Sequence, residues 1–269
     1  FADRSGWEAS GRAGVAAKLA PAVSIRSAAY TGWRLPTLNE LYRPFRAGTD
    51  ATAANPLLDP ERLTGAEAGI DLTPLPGLTL SATGYWNRIR GAIGNVTLGT
   101  GPGNFPGVGF VAAGGAYRQR LNLDAIVAKG AEVDLRWRSG PWRAGASWAF
   151  TDARVEASGP AAALDGMRPA QVARHQGSAN LGGTRGRALV SVTGRYTDRQ
   201  FEDDQNARAL ADAFTLDARI AVPVTAGLSL EARGENLTDA RVETAITGNG
   251  VVERATPRTL WIGFSYRGR

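Results

Sequence analysis

From Leu228 to Glu235 the chain reads Leu-Ser-Leu-Glu-Ala-Arg-Gly-Glu, apolar or small at every even position and polar or charged at every odd one. Successive side chains of an extended strand point to opposite faces, so a period of two marks a strand with one greasy side and one wet side. The wet side carries carboxylates and guanidiniums, which a dry interior does not accept unpaired, so it must meet water. The same alternation runs through Phe214–Val222 and Leu260–Tyr266, and through Ala131–Trp137, Trp142–Phe150 and Val190–Tyr196. No stretch of helical length carries a 3.6-residue apolar stripe, and the chain is predicted to be all-β.

Eleven strands are predicted, near 13–20, 22–31, 62–73, 77–90, 117–138, 142–155, 171–182, 187–198, 212–223, 228–238 and 257–267. Several reach the roughly nine to eleven residues that a tilted strand needs to cross a bilayer. The links between them alternate. Short ones rich in Gly, Pro or Ser fall at 21–22, 74–77, 139–141, 182–186 and 225–227, and long ones near 32–61, 91–116, 156–170, 199–211 and 239–256. A soluble two-sheet sandwich has no reason to keep all its long loops at one end, whereas a transmembrane barrel has tight turns on one side and extended loops on the other. Trp86, Trp137, Trp142, Trp148, Phe150, Tyr196 and Tyr266 lie on the apolar face, several near strand ends, where an interfacial aromatic girdle belongs.

Composition excludes more than it selects. The net charge of +6 comes from 31 Lys and Arg against 25 Asp and Glu dispersed along the chain, with no basic run of the kind that binds nucleic acid. There is no Cys and only one His, so disulfides, Cys-based metal or redox sites and a His-rich metal site are not expected. No run of 18 apolar residues marks a membrane-spanning helix. The opening at Phe1 reads as the start of a piece of something longer.

Three landmarks carry a family resemblance. Trp33-Arg34-Leu35-Pro36-Thr37-Leu38-Asn39-Glu40-Leu41-Tyr42, followed by Asn55-Pro56-Leu57-Leu58-Asp59-Pro60-Glu61, resembles the paired motif of TonB-dependent outer-membrane receptors, and Glu235-Asn236-Leu237-Thr238-Asp239 resembles their penultimate-strand motif. Trp33 and Leu35 depart from the usual Phe and Ala, and the ending Tyr266-Arg267-Gly268-Arg269 departs from the usual terminal aromatic.

The resemblance implies an antiparallel transmembrane β-barrel of 22 strands, of which residues 1–269 are the C-terminal part, about eleven strands without the plug domain. An odd number of antiparallel strands cannot close on itself, so two open edges and low stability in isolation are expected. It further implies an outer-membrane location in a Gram-negative bacterium, contact with membrane lipid and lipopolysaccharide, and work done together with a plug and the TonB complex. The cargo implied is a ferric siderophore ahead of a cobalamin or sugar. A passive porin is the alternative within transport, and a soluble β-rich binding or adhesin domain is the alternative from another class.

Such a barrel needs no cofactor and performs no bond chemistry. Its ligand-facing residues are expected in the long loops, with Arg43, Arg46, Arg118, Arg120 and Arg199 offering guanidinium forks and Tyr42, Phe45 and Phe201 offering planes for stacking. Equally, such arginines serve lipopolysaccharide phosphates or plain solvation. His175 lies outside the interval between the paired motifs and reads as structural; with Ser178 three residues on along a strand, the two side chains point to opposite faces and cannot form a catalytic pair. The glycine-rich stretch 99–115 lacks the Lys and Ser/Thr of a phosphate loop and reads as a flexible loop.

Overall fold

A computed structural model describes residues 6–266. One antiparallel sheet of eleven strands forms a wall in which every neighbour in space is also a neighbour in the sequence of wall strands. The wall strands are β1 (Gly11–Ala20), β2 (Val23–Arg34), β3 (Glu61–Leu75), β4 (Leu78–Arg90), β5 (Ala125–Ser139), β6 (Trp142–Glu156), β7 (His175–Arg185), β8 (Ala188–Thr197), β9 (Ala213–Thr225), β10 (Leu228–Glu235) and β11 (Thr259–Tyr266). Among the described residues the outer edges of β1 and β11 have no strand paired to them, and the two strands are not paired with each other.

Five two-residue links, Pro21-Ala22, Pro76-Gly77, Gly140-Pro141, Gly186-Arg187 and Ala226-Gly227, join strands at one end of the wall. Tight hairpins demand positive φ, and Gly77 at +80° and Gly227 at +94° supply it without a Cβ penalty. All the long connections therefore stand at the opposite end, as antiparallel pairing requires.

Register divides the side chains into two sets. On β9 to β11, Ile220, Leu230, Ile262 and Phe264 point to one face, and Arg219, Glu231 and Arg233 to the other. The apolar set is uncovered: Ile262 is 82% and Phe264 73% exposed. The polar set pairs across strands. Arg219 donates to both Glu231 oxygens at 2.5 and 2.7 Å, and Arg26 donates to Asp71 at 2.7 Å and to Thr83 at 2.5 Å. Tyr30 donates to Asn87 at 3.0 Å, its ring lying over Gly65, where a Cβ would collide with it. Neither face of the wall is sealed by a second layer. The largest fully buried side chains, Leu58, Leu210, Val96, Val111 and Thr52, all belong to the long connections, so among the described residues the buried clusters pack at the loop end.

On β6 the apolar face runs from Trp142 beside the turn to Phe150, nine residues inclusive, the length that a tilted strand needs to cross a bilayer. Trp137 and Tyr266 share the turn-end level with Trp142, while Trp86, Trp148 and Tyr196 share the loop-end level with Phe150. His175 joins the upper row, stacked on Trp148 at 5.7 Å between ring centroids, and Ser178 pairs with Ser147 on the opposite face, so the two residues are apart.

Three expected elements differ. The strand expected over 117–138 is two: Ala116–Asn122 belongs to the loop cap, and the wall strand β5 begins at Ala125. Between them Leu123 is 5% exposed, turned into an apolar cluster with Val96, Val155 and Leu164, while Asn122 is held by Asp59 and Gly91, so the chain cannot run straight. The strand expected from 171 starts at His175, because Gln171 has φ of 57° and its amide is tied to the Phe201 carbonyl. The glycine-rich stretch 99–115 is folded, with hairpin strands Gly103–Phe105 and Gly109–Val111 and Phe105 stacked on Tyr117 at 4.6 Å. Of the expected terminal departure, Arg267, Gly268 and Arg269 lie outside the described residues.

Candidate functional site

The loop end carries a built cap. Strands Phe45–Ala47, Asp50–Ala53, Ala116–Asn122 and Ile93–Thr100 pair in the order 45–47, 50–53, 116–122, 93–100, with Asp50–Ala53 and Ala116–Asn122 parallel. Beneath the cap, at the loop end of the polar face, lies a cavity of about 580 Å³. Every long connection between β2 and β11 contributes to it, through residues such as Phe45, Asp50, Arg118, Arg168, Asp204 and Ile246.

The paired sequence motif is the bracket that holds this cap on the wall. Arg34, ending β2, donates through Nε to Glu61 at 2.5 Å and through its two terminal nitrogens to Glu40 at 2.9 and 3.1 Å. Glu61, opening β3, also accepts the Ile93 amide at 2.7 Å. Pro36 removes a donor and sets an extended approach to helix α1 (Leu38–Tyr42), where Thr37 and Glu40 complete a capping box: the Glu40 amide donates to Thr37 Oγ1 at 3.2 Å and the Thr37 amide to Glu40 Oε2 at 2.6 Å. Leu41 and Leu58 are the buried anchors of the two halves, 2% and 0% exposed. Asn55 donates to the Arg120 carbonyl at 2.9 Å, and its amide bonds the Glu40 carbonyl at 3.0 Å. Trp33 points outward, opposite Arg62.

Burial pushes the Glu40 carboxyl up, but the hydrogen bonds from Arg34 and Thr37 outweigh it and hold it at about 2. A carboxyl depressed on folding stabilises the fold above its unfolded value near 4.5, and that contribution is lost as pH falls through 2. The protection of the amides of residues 37–43, taken relative to their intrinsic exchange rates, should therefore fall between pH 4.5 and 2, and Glu40→Gln should flatten that dependence.

The closing motif does similar work at the far edge. Asn236, 6% exposed with φ of 48°, donates its amide to Asp217 at 2.9 Å, and its side chain donates to the Ala240 carbonyl at 2.9 Å and accepts the Ala240 amide at 2.9 Å. The Leu237 amide bonds the Leu216 carbonyl at 2.7 Å, Glu235 pairs with Arg233, and Asp239 meets Arg258 at 3.4 Å.

The expected ligand residues fall into two groups. Tyr42, Arg43, Phe45, Arg46, Arg118 and Arg120 gather around α1 and the cap, and Arg199 and Phe201 stand apart in the connection between β8 and β9; of the eight, only Phe45 and Arg118 line the cavity. Arg120 is 8% exposed, donating to the carbonyls of Asn39 and Arg43 and lying 5.1 Å over the Phe45 ring, so its guanidinium is spent inside the cap. Arg118 is spent as well, at 2.9 Å from Asp50. Arg46 donates to the Val108 and Phe110 carbonyls at 2.5 and 2.7 Å. Tyr42 and Arg43 are exposed, and Arg199 stacks at 5.7 Å on Phe201, whose ring also meets Arg168 at 5.4 Å.

Sequence reading missed the hub of the cap. Asp50 accepts the Ala116 amide at 2.9 Å and pairs with Arg118 at 2.9 Å and Arg208 at 3.5 Å, while Arg208 reaches the Ile246 carbonyl at 3.2 Å. Asp204 accepts the Thr97 amide and hydroxyl at 2.6 and 2.7 Å. These two carboxylates lock three long connections together and Arg208 ties in a fourth through Ile246, and no local pattern flags either carboxylate. Among the described residues no group of three or more His, Cys, Asp or Glu is placed to hold a metal ion.

A family model described as TonB dependent receptor-like, beta-barrel matches residues 1–237. A search of curated proteins finds no significant match. Among solved structures, the chain is similar to the siderophore receptor PiuA from Acinetobacter baumannii, with 16% identity and TM-score 0.72, over 95% of this chain and 35% of that one. The copper transporter OprC gives 18% identity and TM-score 0.71, over 96% of this chain and 39% of its own. The ferric yersiniabactin uptake receptor FyuA from Yersinia pestis gives 16% and 0.68, over 95% and 36%. The chain thus spans between about a third and two fifths of the length of these relatives.

Proposed function

The chain belongs to the TonB-dependent receptor β-barrel family, and from that membership we propose that it is the C-terminal part of an outer-membrane receptor that imports a scarce, large ligand, a ferric siderophore. In this reading the apolar face of the wall meets lipid and lipopolysaccharide, the polar face lines an aqueous lumen shared with a plug, and the TonB complex supplies energy. The observation that carries it is the cavity under the interlocked cap, because long loops tied to one another over a polar lumen form a capture site rather than an open pore. The solved relatives include receptors described as taking up siderophores, which agrees with that cargo. Arg199 with Phe201, together with Tyr42 and Arg43, offers exposed cations and planes on the loops outside the cavity, for first contact with an anionic chelate, while Arg118 and Arg120 hold the cap in shape.

Uptake of radiolabelled ferric siderophores by cells carrying the full gene should saturate, require an energised inner membrane and disappear on deletion. Uptake that is non-saturable and indifferent to energy would establish a passive pore instead.

A further inference from the structure

Arginines on the polar face of the wall are paired with carboxylates, as Arg26 is with Asp71 and Arg195 with Asp217, except at one place. Arg136, Arg138 and Arg143, at the turn end of β5 and β6, are exposed and have no carboxylate within ion-pair reach among the described residues. Register sets Arg138 directly opposite Arg143, and Arg136 opposite Gly145 on the same face. Like charges directly opposed weaken a strand pair. Arg219 and Arg233 are opposed in the same way, but each has its own carboxylate, Glu231 and Glu235. At the β5–β6 turn nothing within the chain offsets the repulsion, and an anion seated between the guanidiniums would.

The trio stands in a hollow of about 570 Å³ that also holds neutral donors. Asn180 folds over Gly145, where a Cβ would come within 2.9 Å of its amide nitrogen, and Thr79 lies beside Arg136. This hollow is the last of a series. Gln171 borders both the cap cavity and the next hollow down, Arg195 and Thr197 border that one and a third, and Asp134, Ser147 and Ser178 border the third and the arginine hollow. A groove therefore descends the polar face from cap to turns, kept open by the small side chains of Gly145, Ser147 and Ala149. Glu132 and Asp134 border it above the trio, so an anion that has passed them is repelled from above and attracted from below.

We propose that Arg136, Arg138 and Arg143 form an oxyanion station at the exit of this groove, which receives the anionic groups of the ferric chelate after it leaves the cap cavity. The assignment rests on the function proposed above. Guanidinium forks take carboxylate or catecholate oxygens in pairs, and two forks facing across one strand pair can take them from both sides.

Cells carrying the full gene should be given a panel of radiolabelled ferric chelates, catecholate and carboxylate ones that are anionic and a hydroxamate one that is neutral. At least one anionic member should enter by an energised process. Arg136→Gln with Arg138→Gln and Arg143→Gln should lower its maximal uptake rate about tenfold, because a cation lining the route is lost. Its affinity for de-energised cells should not change, since capture at the cap precedes the trio. The triple Lys variant should keep most of the rate, and Arg187→Gln, an exposed arginine at the neighbouring turn, all of it. Hydrogen exchange of the plug should be the same in the wild-type and triple Gln receptors. An unaltered rate in the triple Gln variant, or wild-type uptake confined to the hydroxamate, overturns the station. So does a triple Lys or Arg187→Gln receptor as slow as the triple Gln one, and so does lost surface affinity or a loosened plug, which would make the trio structural. Absence of energised uptake of every member overturns the function beneath it instead.

Discussion

Replacing Asp50 by Ala should release the loop cap at a cost of about 3 kcal/mol, because removing one partner of a buried ion pair strands the other charge. The value belongs at the lower end of that class, since the side chains of Arg118 and Arg208 keep 15% and 22% of their surface. Limited proteolysis and hydrogen exchange of the full-length receptor should find residues 45–53, 93–122 and 198–212 opening together, because Asp50 is where their connections converge. The wall should melt as before. Opening confined to 45–53 would mean that the connections are not coupled through this carboxylate.

A cation placed on the outward face tests the wall itself. Val133 sits midway along β5, 42% exposed, opposite Trp148 and Ala82. In a bilayer, Val133→Arg should cost about 2–4 kcal/mol, the penalty for arginine near the midplane of an outer-membrane barrel. Asp134→Asn, one residue on, half-buried on the opposite face and in no ion pair among the described residues, should cost less than about 0.5 kcal/mol, as a polar exchange that breaks no specific contact does. Urea unfolding of the full-length receptor in lipid vesicles measures both. Equal small effects would mean that water, not hydrocarbon, touches Val133.

These two experiments probe different layers of information in the chain. The wall was legible because a two-residue period is local: each strand declares its two faces, and Gly77 or Gly227 declares a turn, without knowledge of any distant residue. The alternation of short and long links followed from the same local signals, and the motif residues Arg34, Glu61 and Asn236 were found as patterns although their work was not apparent. Strand limits failed where a distant contact decides, as at Asn122 and Leu123, whose partners lie in other loops.

The cap was not legible. Asp50, Arg118 and Arg208 are far apart in sequence and are joined only by the fold, so nothing local distinguishes an arginine spent on a buried carboxylate from one left for a ligand. By itself the sequence determined the eleven-stranded wall, its two faces and its family, because backbone extension and side-chain alternation are properties of neighbours. Only the tertiary structure decided which loop charges are consumed and where the cavity lies, because those depend on registers and loop packing that bring separated segments side by side.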